Sequence, residues 1–141
     1  MAYDVYVCCA YHDKELAEEL WDGLELRGLR SFNEHPYDDA QPDDSWEQVL
    51  HRGIENSRVV VLVFSLAANR SPHVRDELEY AAERNIPIIP FMIEAAAPFC
   101  MDVFSPSIEW IDAIAPPIGQ HIDRLTDEIQ ALLEEPPPKS I

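Results

Sequence analysis

The sequence is poor in glycine, in basic residues and in long apolar runs. Only 4 of its 141 residues are glycine, and 10 lysines and arginines stand against 27 acidic residues, a formal net charge of −17. A surface this acidic repels nucleic acid and anionic lipid. No apolar run approaches the roughly 18 residues of a membrane helix, and the N-terminus lacks the basic region of a signal peptide. We therefore expect a cytoplasmic protein without nucleic-acid or membrane partners.

Cysteine is also scarce, and its spacing excludes two further classes of protein. Cys8, Cys9 and Cys100 show neither C-x-x-C spacing nor a Cys/His ligand pattern. Zinc motifs and a secreted disulfide framework are therefore not indicated, and we expect no metal and a reducing compartment. Cys8 and Cys9 lie in an apolar segment, so we interpret them as packed strand residues rather than nucleophiles.

The length fits a single domain. Domains have a mode near 100 to 150 residues, and the 47% hydrophobic content of this chain supplies a core without disulfides or metals. We assign residues 3–134 to this domain. Residues 135–141 contain three prolines and are expected to form an extended tail or linker.

Short apolar runs alternate with amphipathic stretches along the chain. Strands are expected at Tyr3 to Cys9, Leu29 to Asn33, Val59 to Phe64, Ile86 to Ile93 and Ile108 to Ile111, and helices after Asp13, from Asp44 to Asn56, Pro72 to Arg84 and Ile118 to Leu133. This alternation predicts an α/β fold: a flavodoxin-like, doubly wound, five-stranded parallel sheet of order 2-1-3-4-5 with helices on both faces. Ligands then bind beyond the carboxyl ends of the strands, between strands 1 and 3.

Several local signals refine these elements. Asp13 is expected to cap the first helix and Gly28 to end it, and Ser71, followed by proline, is expected to cap the helix that begins at residue 72. Proline is unusual inside a strand, so Pro90 is expected to mark a bulge or an unpaired position.

Three common ligand sites of this architecture are excluded. The turn after strand 1 reads CCAYH and has no glycine, which removes a Rossmann or Walker phosphate site. The same turn lacks the Ser/Thr-rich phosphate loop of a flavodoxin. Strand 3 ends in Phe64 and Ser65 rather than in the aspartate that a phosphorylated receiver domain requires.

One acid stands out in the helix that begins at residue 72. At 100° per residue, Glu77 lies beside the apolar stripe of that helix, on a neighbouring stripe with His73 and Tyr80. It is one turn from the end of the molecule where ligands bind. The spacing alone leaves a structural role open, because carboxylates are favoured in early helical turns and Arg75 or Arg84 can pair with them.

Three stretches of the sequence resemble the TIR (Toll/interleukin receptor) domain family, in its bacterial form. They are YDVYV followed by HDKELAEEL; the block DDSWEQVLHRGIENSRVVVLVFSLAANRSPHVRDELEYAAERNIPIIPFMIE; and IEWIDA. The resemblance spans about residues 3–133 and implies the fold predicted above. The family also tolerates the prolines of IPIIPF.

The resemblance implies an activity and a site. NAD+-cleaving members carry a glutamate in a pattern resembling W-x-x-x-E, and the matching residue is Glu77, with His73 in place of the tryptophan. The chain is then an NAD+ nucleosidase that releases nicotinamide and either ADP-ribose or a cyclic isomer, with NAD+ as substrate and no cofactor. The resemblance implies substrate contacts from Cys9, Ala10, Tyr11, Phe32, Trp46 and His73. A common Ser-Tyr pair is Cys8-Cys9 here, and the Pro-Gly of the loop after strand 2 is Pro42-Asp43.

The chemistry suits a single carboxylate. Loss of nicotinamide generates positive charge at the ribose, and a carboxylate that holds the ribose hydroxyls stabilises this charge as it develops. Nicotinamide is cationic in NAD+ and leaves as a neutral molecule, so no strong general acid is needed.

The resemblance also implies partners. Family members self-associate through the loop after strand 2, here residues 34–44, and bacterial members serve in anti-phage defence with a fused or recruited sensor or effector. That loop carries five acids without a lysine or arginine: Glu34, Asp38, Asp39, Asp43 and Asp44. Their repulsion is expected to oppose association at low salt. Two alternatives remain: a non-catalytic TIR interaction module and, more distantly, a nucleoside 2-deoxyribosyltransferase.

Overall fold

A five-stranded, all-parallel sheet of order β2-β1-β3-β4-β5 forms the centre of the molecule. The computed structural model describes residues 3–32, 44–94, 111–115 and 117–134, with backbone alone for 44–49. The strands are β1 (Tyr3–Cys8), β2 (Ser31–Phe32), β3 (Ser57–Phe64), β4 (Ile88–Met92) and β5 (Ile111–Asp112). The predicted fold class and strand order are confirmed.

Helices cover both faces of this sheet. They are a 3-10 turn (Tyr11–Asp13), α1 (Lys14–Leu26), α2 (Asp44–Glu55), α3 (Leu66–Asn69), α4 (Pro72–Glu83) and α5 (Ile118–Glu134). The one-turn helix α3 was not expected from the sequence. No helix among the described residues is both long and apolar enough to span a bilayer.

Two hydrophobic cores result from strand alternation, because successive side chains of a strand point to opposite faces. Odd-numbered residues of β1 and β3, such as Val5 and Val61, pack against α1 and α5. Even-numbered residues, such as Tyr6 and Leu62, pack against α2 and α4. The strands are therefore apolar on both sides, as the continuous run VVVLVF of β3 indicated.

The helix ends follow the predicted signals in two cases out of three. The Ser71 side chain accepts a hydrogen bond from the Val74 amide at 3.2 Å, and Gly28 ends α1 in the left-handed conformation with φ 89°. Asp13 occupies the N-cap position of α1 without capping it. Its carboxylate instead accepts a hydrogen bond from the Ser65 hydroxyl at 2.5 Å, so the prediction of a cap was wrong.

Pro90 lies in β4 without a bulge against β3. The two strands pair in unbroken register, with Pro90 opposite Leu62. The amide of Ile93 donates to the Phe64 carbonyl at 3.0 Å. Because successive amides alternate in direction, the nitrogen of Pro90 faces away from β3. The proline therefore removes no hydrogen bond from this pairing. Neither predicted alternative, a bulge or an unpaired position, is found where β4 pairs with β3.

Two predicted segments lie outside the described residues. They are residues 34–43 of the loop after β2 and the tail, residues 135–141. Of the predicted fifth strand, only Ile111 is described, and it begins β5. The function of the loop and the domain boundary at residue 134 therefore stay predictions.

Candidate functional site

Glu77 lies on the inner face of α4, against the interior strand β1. Ser71 caps this helix and Pro72 occupies its first turn, which fixes where the helix begins. Val74 and Leu78 anchor it to the core, and Glu77, between them, is carried inward to 3% exposure. A carboxyl this buried is rare unless it is paired or functional.

The two oxygens of Glu77 have different surroundings. The Tyr6 hydroxyl donates a hydrogen bond to Oε1. Oε2 is buried without a hydrogen-bond partner among the described residues. Cys8 lies on the same face of β1 as Tyr6, and its thiol is 4.0 Å from the Val74 carbonyl of α4. One oxygen is thus held by the protein, and the other is enclosed in the core without a hydrogen-bond partner among the described residues.

Burial controls the protonation of this site. The pKa of Glu77 is raised from 4.5 to about 8, chiefly because burial desolvates the carboxyl. Smaller effects come from the Tyr6 hydroxyl, which lowers the pKa, from Asp76, which raises it, and from the Cys8 thiol, which lowers it. At neutral pH the buried Glu77 carboxyl is therefore mostly in its neutral, protonated form. A ligand that brings positive charge or hydroxyl donors to Oε2 favours the ionised form.

The neighbouring thiols are not activated nucleophiles. Burial, and then the charge of Glu77, raise the pKa of Cys8 well above its usual value and that of Cys9 to about 12. Both are buried free cysteines. Both are packed in the core as predicted, Cys8 in β1 and Cys9 directly after the end of that strand.

The structure brings only part of the predicted substrate-binding set near Glu77. Phe32 and Ala10 share its core, and the Phe32 ring stacks on Tyr6 with 5.3 Å between centroids and 23° between planes. Cys9 packs in the opposite core, with α1 and α5. Tyr11 is 60% exposed after β1.

The remaining two members of that set are less closely placed. His73 is exposed on the first turn of α4, one turn before Glu77. Trp46 belongs to α2, but its side chain lies outside the described residues. The role of each residue of the set in binding a substrate stays a prediction.

Tyr6 and Cys8 are the neighbours of Glu77 that the sequence reasoning missed. A signal for them was available, because alternation along β1 puts residues 6 and 8 on one face of the sheet, and Ala10, two residues further on, packs in the same core. Selecting Ala10 as a site residue thus implied Tyr6 and Cys8 on the same face. Cys9, of opposite parity, belongs to the other face.

A second buried polar pair lies at the carboxyl ends of β1 and β3. The Ser65 hydroxyl donates to Asp13 at 2.5 Å and accepts from the Ala68 amide at 3.1 Å. This chain of hydrogen bonds ties the turn that follows β1 to the start of α3. It holds the turn that carries Ala10 and Tyr11 at the point where the strand order reverses.

The outer surfaces of α2 and α4 are linked by a polar cluster. The His51 ring stacks on Tyr80 at 3.8 Å and its Nε2 lies 3.1 Å from an Asp76 carboxylate oxygen. The Tyr80 hydroxyl donates to Glu55, and the Arg84 guanidinium lies 3.4 Å from the centroid of the Tyr80 ring. These contacts fix α4, and therefore Glu77, relative to α2.

Metal chemistry has no candidate ligand set in the described part of the chain. No group of three or more His, Cys, Asp or Glu side chains is placed there to hold a metal ion. The only buried carboxyls described are Glu77 and Asp13, and they have the separate partners given above.

The fold and the position of Glu77 define a flavodoxin-like α/β domain with an acidic site near the carboxyl edge of its sheet. The sequence model of the family described as "TIR domain" matches residues 5–130. The chain belongs to the TIR domain family. No curated protein matches it in sequence.

Solved structures of several proteins share this fold. The TIR domain of the Toll-related receptor TRR-2 from Hydra magnipapillata is 23% identical with a TM-score of 0.67, and the match covers 91% of this chain and 98% of that one. A metazoan TIR-STING receptor from C. gigas is 24% identical with a TM-score of 0.62, over 95% of this chain and 40% of that one. The CMP N-glycosidase BcmB of Clostridium botulinum is 17% identical with a TM-score of 0.62, and the match covers 86% of this chain and 97% of that one.

Proposed function

We propose that this chain is a TIR-domain NAD+ nucleosidase. It cleaves the bond between nicotinamide and ribose to give nicotinamide and ADP-ribose, or a cyclic isomer, with Glu77 as the catalytic carboxylate. The observation that carries the proposal is the buried Oε2 of Glu77, which has no partner among the described residues although the carboxyl is 3% exposed. A buried polar atom left unpaired costs stability, and a catalytic or ligand-binding role is one explanation for such an atom.

The geometry supports one role for this carboxylate. Oε2 is the acceptor for a ribose hydroxyl, and the ionised carboxylate stabilises the positive charge that develops on the ribose as the C–N bond breaks. The electron pair of that bond stays with nicotinamide, which leaves neutral. Water then attacks the ribose to give ADP-ribose, or the adenine ring attacks it to give a cyclic product.

The substrate itself favours the active protonation state. The nicotinamide ring of NAD+ carries a positive charge, and a positive charge near an acid stabilises the carboxylate. Substrate binding is therefore expected to lower the pKa of Glu77 from its value of about 8 in the protein without substrate. Catalysis needs no metal and no bound cofactor in this account.

The burial of Glu77 makes activity conditional. At 3% exposure, the carboxyl is reached only if neighbouring side chains move. Self-association through residues 34–44 is the proposed cause of that change, in a cytoplasmic anti-phage response triggered by a fused or recruited sensor. The fold also accommodates related chemistry, since one structure that shares it is named a CMP N-glycosidase.

One observation favours a second function, that of a non-catalytic TIR interaction module. A neutral glutamic acid bonded to Tyr6 inside the core is also what a purely structural residue looks like. Incubation of concentrated protein with NAD+, CMP or a deoxynucleoside separates the functions. Nicotinamide release supports the proposal. If a base is released only from CMP or only from the deoxynucleoside, that compound and not NAD+ is the substrate. If nothing is released from any of the three, the chain is the non-catalytic interaction module.

A further inference from the structure

Tyr6 has a specific contact at both its ring and its hydroxyl. It is fully buried, and its ring stacks on Phe32. Its hydroxyl is directed across the core to Oε1 of Glu77, from a position 71 residues away in sequence. The hydroxyl therefore connects the interior strand β1 to the proposed catalytic carboxyl.

We propose that Tyr6 is a positioning residue for Glu77: its hydroxyl holds Oε1, leaves Oε2 for the ligand and favours the ionised form of the carboxyl. This inference rests on the proposed function of Glu77. The sequence indicated neither the residue nor the role, because Tyr6 looks like any aromatic residue of a buried strand.

The hydrogen bond sets a geometric division between the two oxygens. With Oε1 engaged by Tyr6, the carboxyl plane cannot turn freely, so Oε2 keeps one direction. A donor of this kind also stabilises a carboxylate more than a neutral acid, because a charge-assisted hydrogen bond is the stronger one. Without the hydroxyl, burial alone acts on the carboxyl and favours its protonated form.

The other titratable groups around Glu77 do not replace this donor. On β1 there is the Cys8 thiol, and Cys9 follows the strand and packs in the opposite core. On α4, Asp76 lies next to Glu77 in sequence. On α2, His51 contacts Asp76, and Glu55 contacts Tyr80. Asp76 opposes ionisation of Glu77, and the thiol of Cys8 is a weak donor. Tyr6 is the strong donor to Glu77 among the described residues.

The experiment is a titration of the Glu77 carboxyl in the full chain without substrate, by NMR of carboxyl-labelled glutamate or by infrared spectroscopy. The Glu77→Gln variant identifies the signal. Tyr6→Phe keeps the ring that stacks on Phe32 and removes only the hydroxyl, so the titration midpoint is expected to rise by on the order of one pH unit. Tyr3→Phe is the matched control, since Tyr3 also contacts Phe32, edge to face at 5.2 Å; its midpoint is expected to stay unchanged.

A second variant keeps the test decisive if Tyr6→Phe does not fold. A fluorinated tyrosine at position 6 is a stronger donor and is expected to shift the midpoint to lower pH. If a folded variant at position 6, either Tyr6→Phe or the fluorinated tyrosine, has the same titration midpoint as wild type, the inference is overturned. A shift in the predicted direction supports it.

Activity provides an independent readout. In Tyr6→Phe the acidic limb of the NAD+ cleavage profile moves to higher pH together with the titration, and kcat recovers towards the wild-type value in alkaline buffer. A loss of kcat that is equal at every pH overturns the inference, since a structural defect has that form. If wild type releases no nicotinamide at any pH, the proposed function fails, and the titration still decides whether Tyr6 controls Glu77.

Discussion

The ring of Phe32 lies directly against the backbone of Gly53. A Cβ atom placed on Gly53 would be 2.7 Å from the Phe32 ring, closer than real carbon contacts allow. The glycine therefore permits α2 to approach β2, and Phe32 to stack on Tyr6 beside Glu77. A residue type that is unfavourable inside a helix is retained where it makes room for the site.

Gly53→Ala is expected to destabilise the protein. Overpacking of this kind costs about 1–3 kcal/mol, which exceeds the gain of up to ~1 kcal/mol from the better helix propensity of alanine. Denaturant unfolding measures the difference. Gly119→Ala on α5 is the matched control, since a Cβ there meets nothing within 4 Å, and it is expected to be neutral or slightly stabilising. Equal stability of the two variants contradicts this packing argument.

Ser65→Ala is expected to leave the buried Asp13 without its donor and α3 without its cap. The lost hydrogen bond to a buried carboxylate costs about 1–3 kcal/mol, and the lost cap about 0.5–2 kcal/mol. Ser71→Ala, which removes a cap alone, is the comparison and should cost less. In a double-mutant cycle with Asp13→Ala, which removes the acceptor, a coupling energy near zero counts against the Asp13 and Ser65 pair.

The stability of wild type relative to Glu77→Gln is expected to fall as the pH rises. The pKa of Glu77 is raised in the folded state from 4.5 to about 8, so between these values the native protein binds the proton that the unfolded chain has lost. The contribution of the protonated Glu77 to the free energy of unfolding is fully present below pH 4.5. It falls by up to ~1.4 kcal/mol per pH unit as the pH rises to about 8. Urea unfolding of both proteins across this range measures it.

The matched control for this dependence is Glu79→Gln. Glu79 is an exposed acid of the same helix that pairs with Arg75 at 3.3 Å. Its substitution removes the same charge, and no comparable trend with pH is expected. A difference between wild type and Glu77→Gln that is constant from pH 5 to about 8 contradicts the raised pKa.

Self-association and NAD+ cleavage are expected to increase together when the acidic loop is neutralised. Replacing Asp38 and Asp39 by asparagine, or adding moderate salt, reduces the repulsion between loops. Sedimentation velocity and nicotinamide release measure the two effects. Asp22→Asn with Asp127→Asn changes the net charge equally on exposed helix surfaces and is the control. If both double variants associate alike, total charge rather than the loop is responsible.

The sequence predicted the sheet well because its signals are local and strong. The uninterrupted run in β3, the Ser71 cap and the left-handed Gly28 each determine their own element, and the structure has them where they were expected. Asp13 differs, because its side chain can either cap α1 or bind a residue that is distant in sequence. In the structure it accepts a hydrogen bond from the buried hydroxyl of Ser65, 52 residues away. Spacing along one segment does not reveal that choice.

The candidate site was predictable only in part, for the same reason. Helical periodicity placed Glu77 at the edge of the core face, but the contact with Tyr6 joins two elements across the core. Alternation along β1 also separates Cys9 from Ala10 onto opposite faces, a distinction that the proposed set of contacts had not used. Whether residues of a buried strand have odd or even numbers therefore predicts which of them can share a site on one face of the sheet.

The most direct test of the proposed activity is nicotinamide release from NAD+ by concentrated protein, compared between wild type, Glu77→Gln and Glu79→Gln. We expect wild type and Glu79→Gln to release nicotinamide at similar rates that rise more steeply than protein concentration. Glu77→Gln is expected to lose about 100-fold or more, the scale of removing one group that stabilises transition-state charge. Equal rates in wild type and Glu77→Gln, or no release by wild type at any concentration, would contradict the assignment of Glu77 as the catalytic carboxylate.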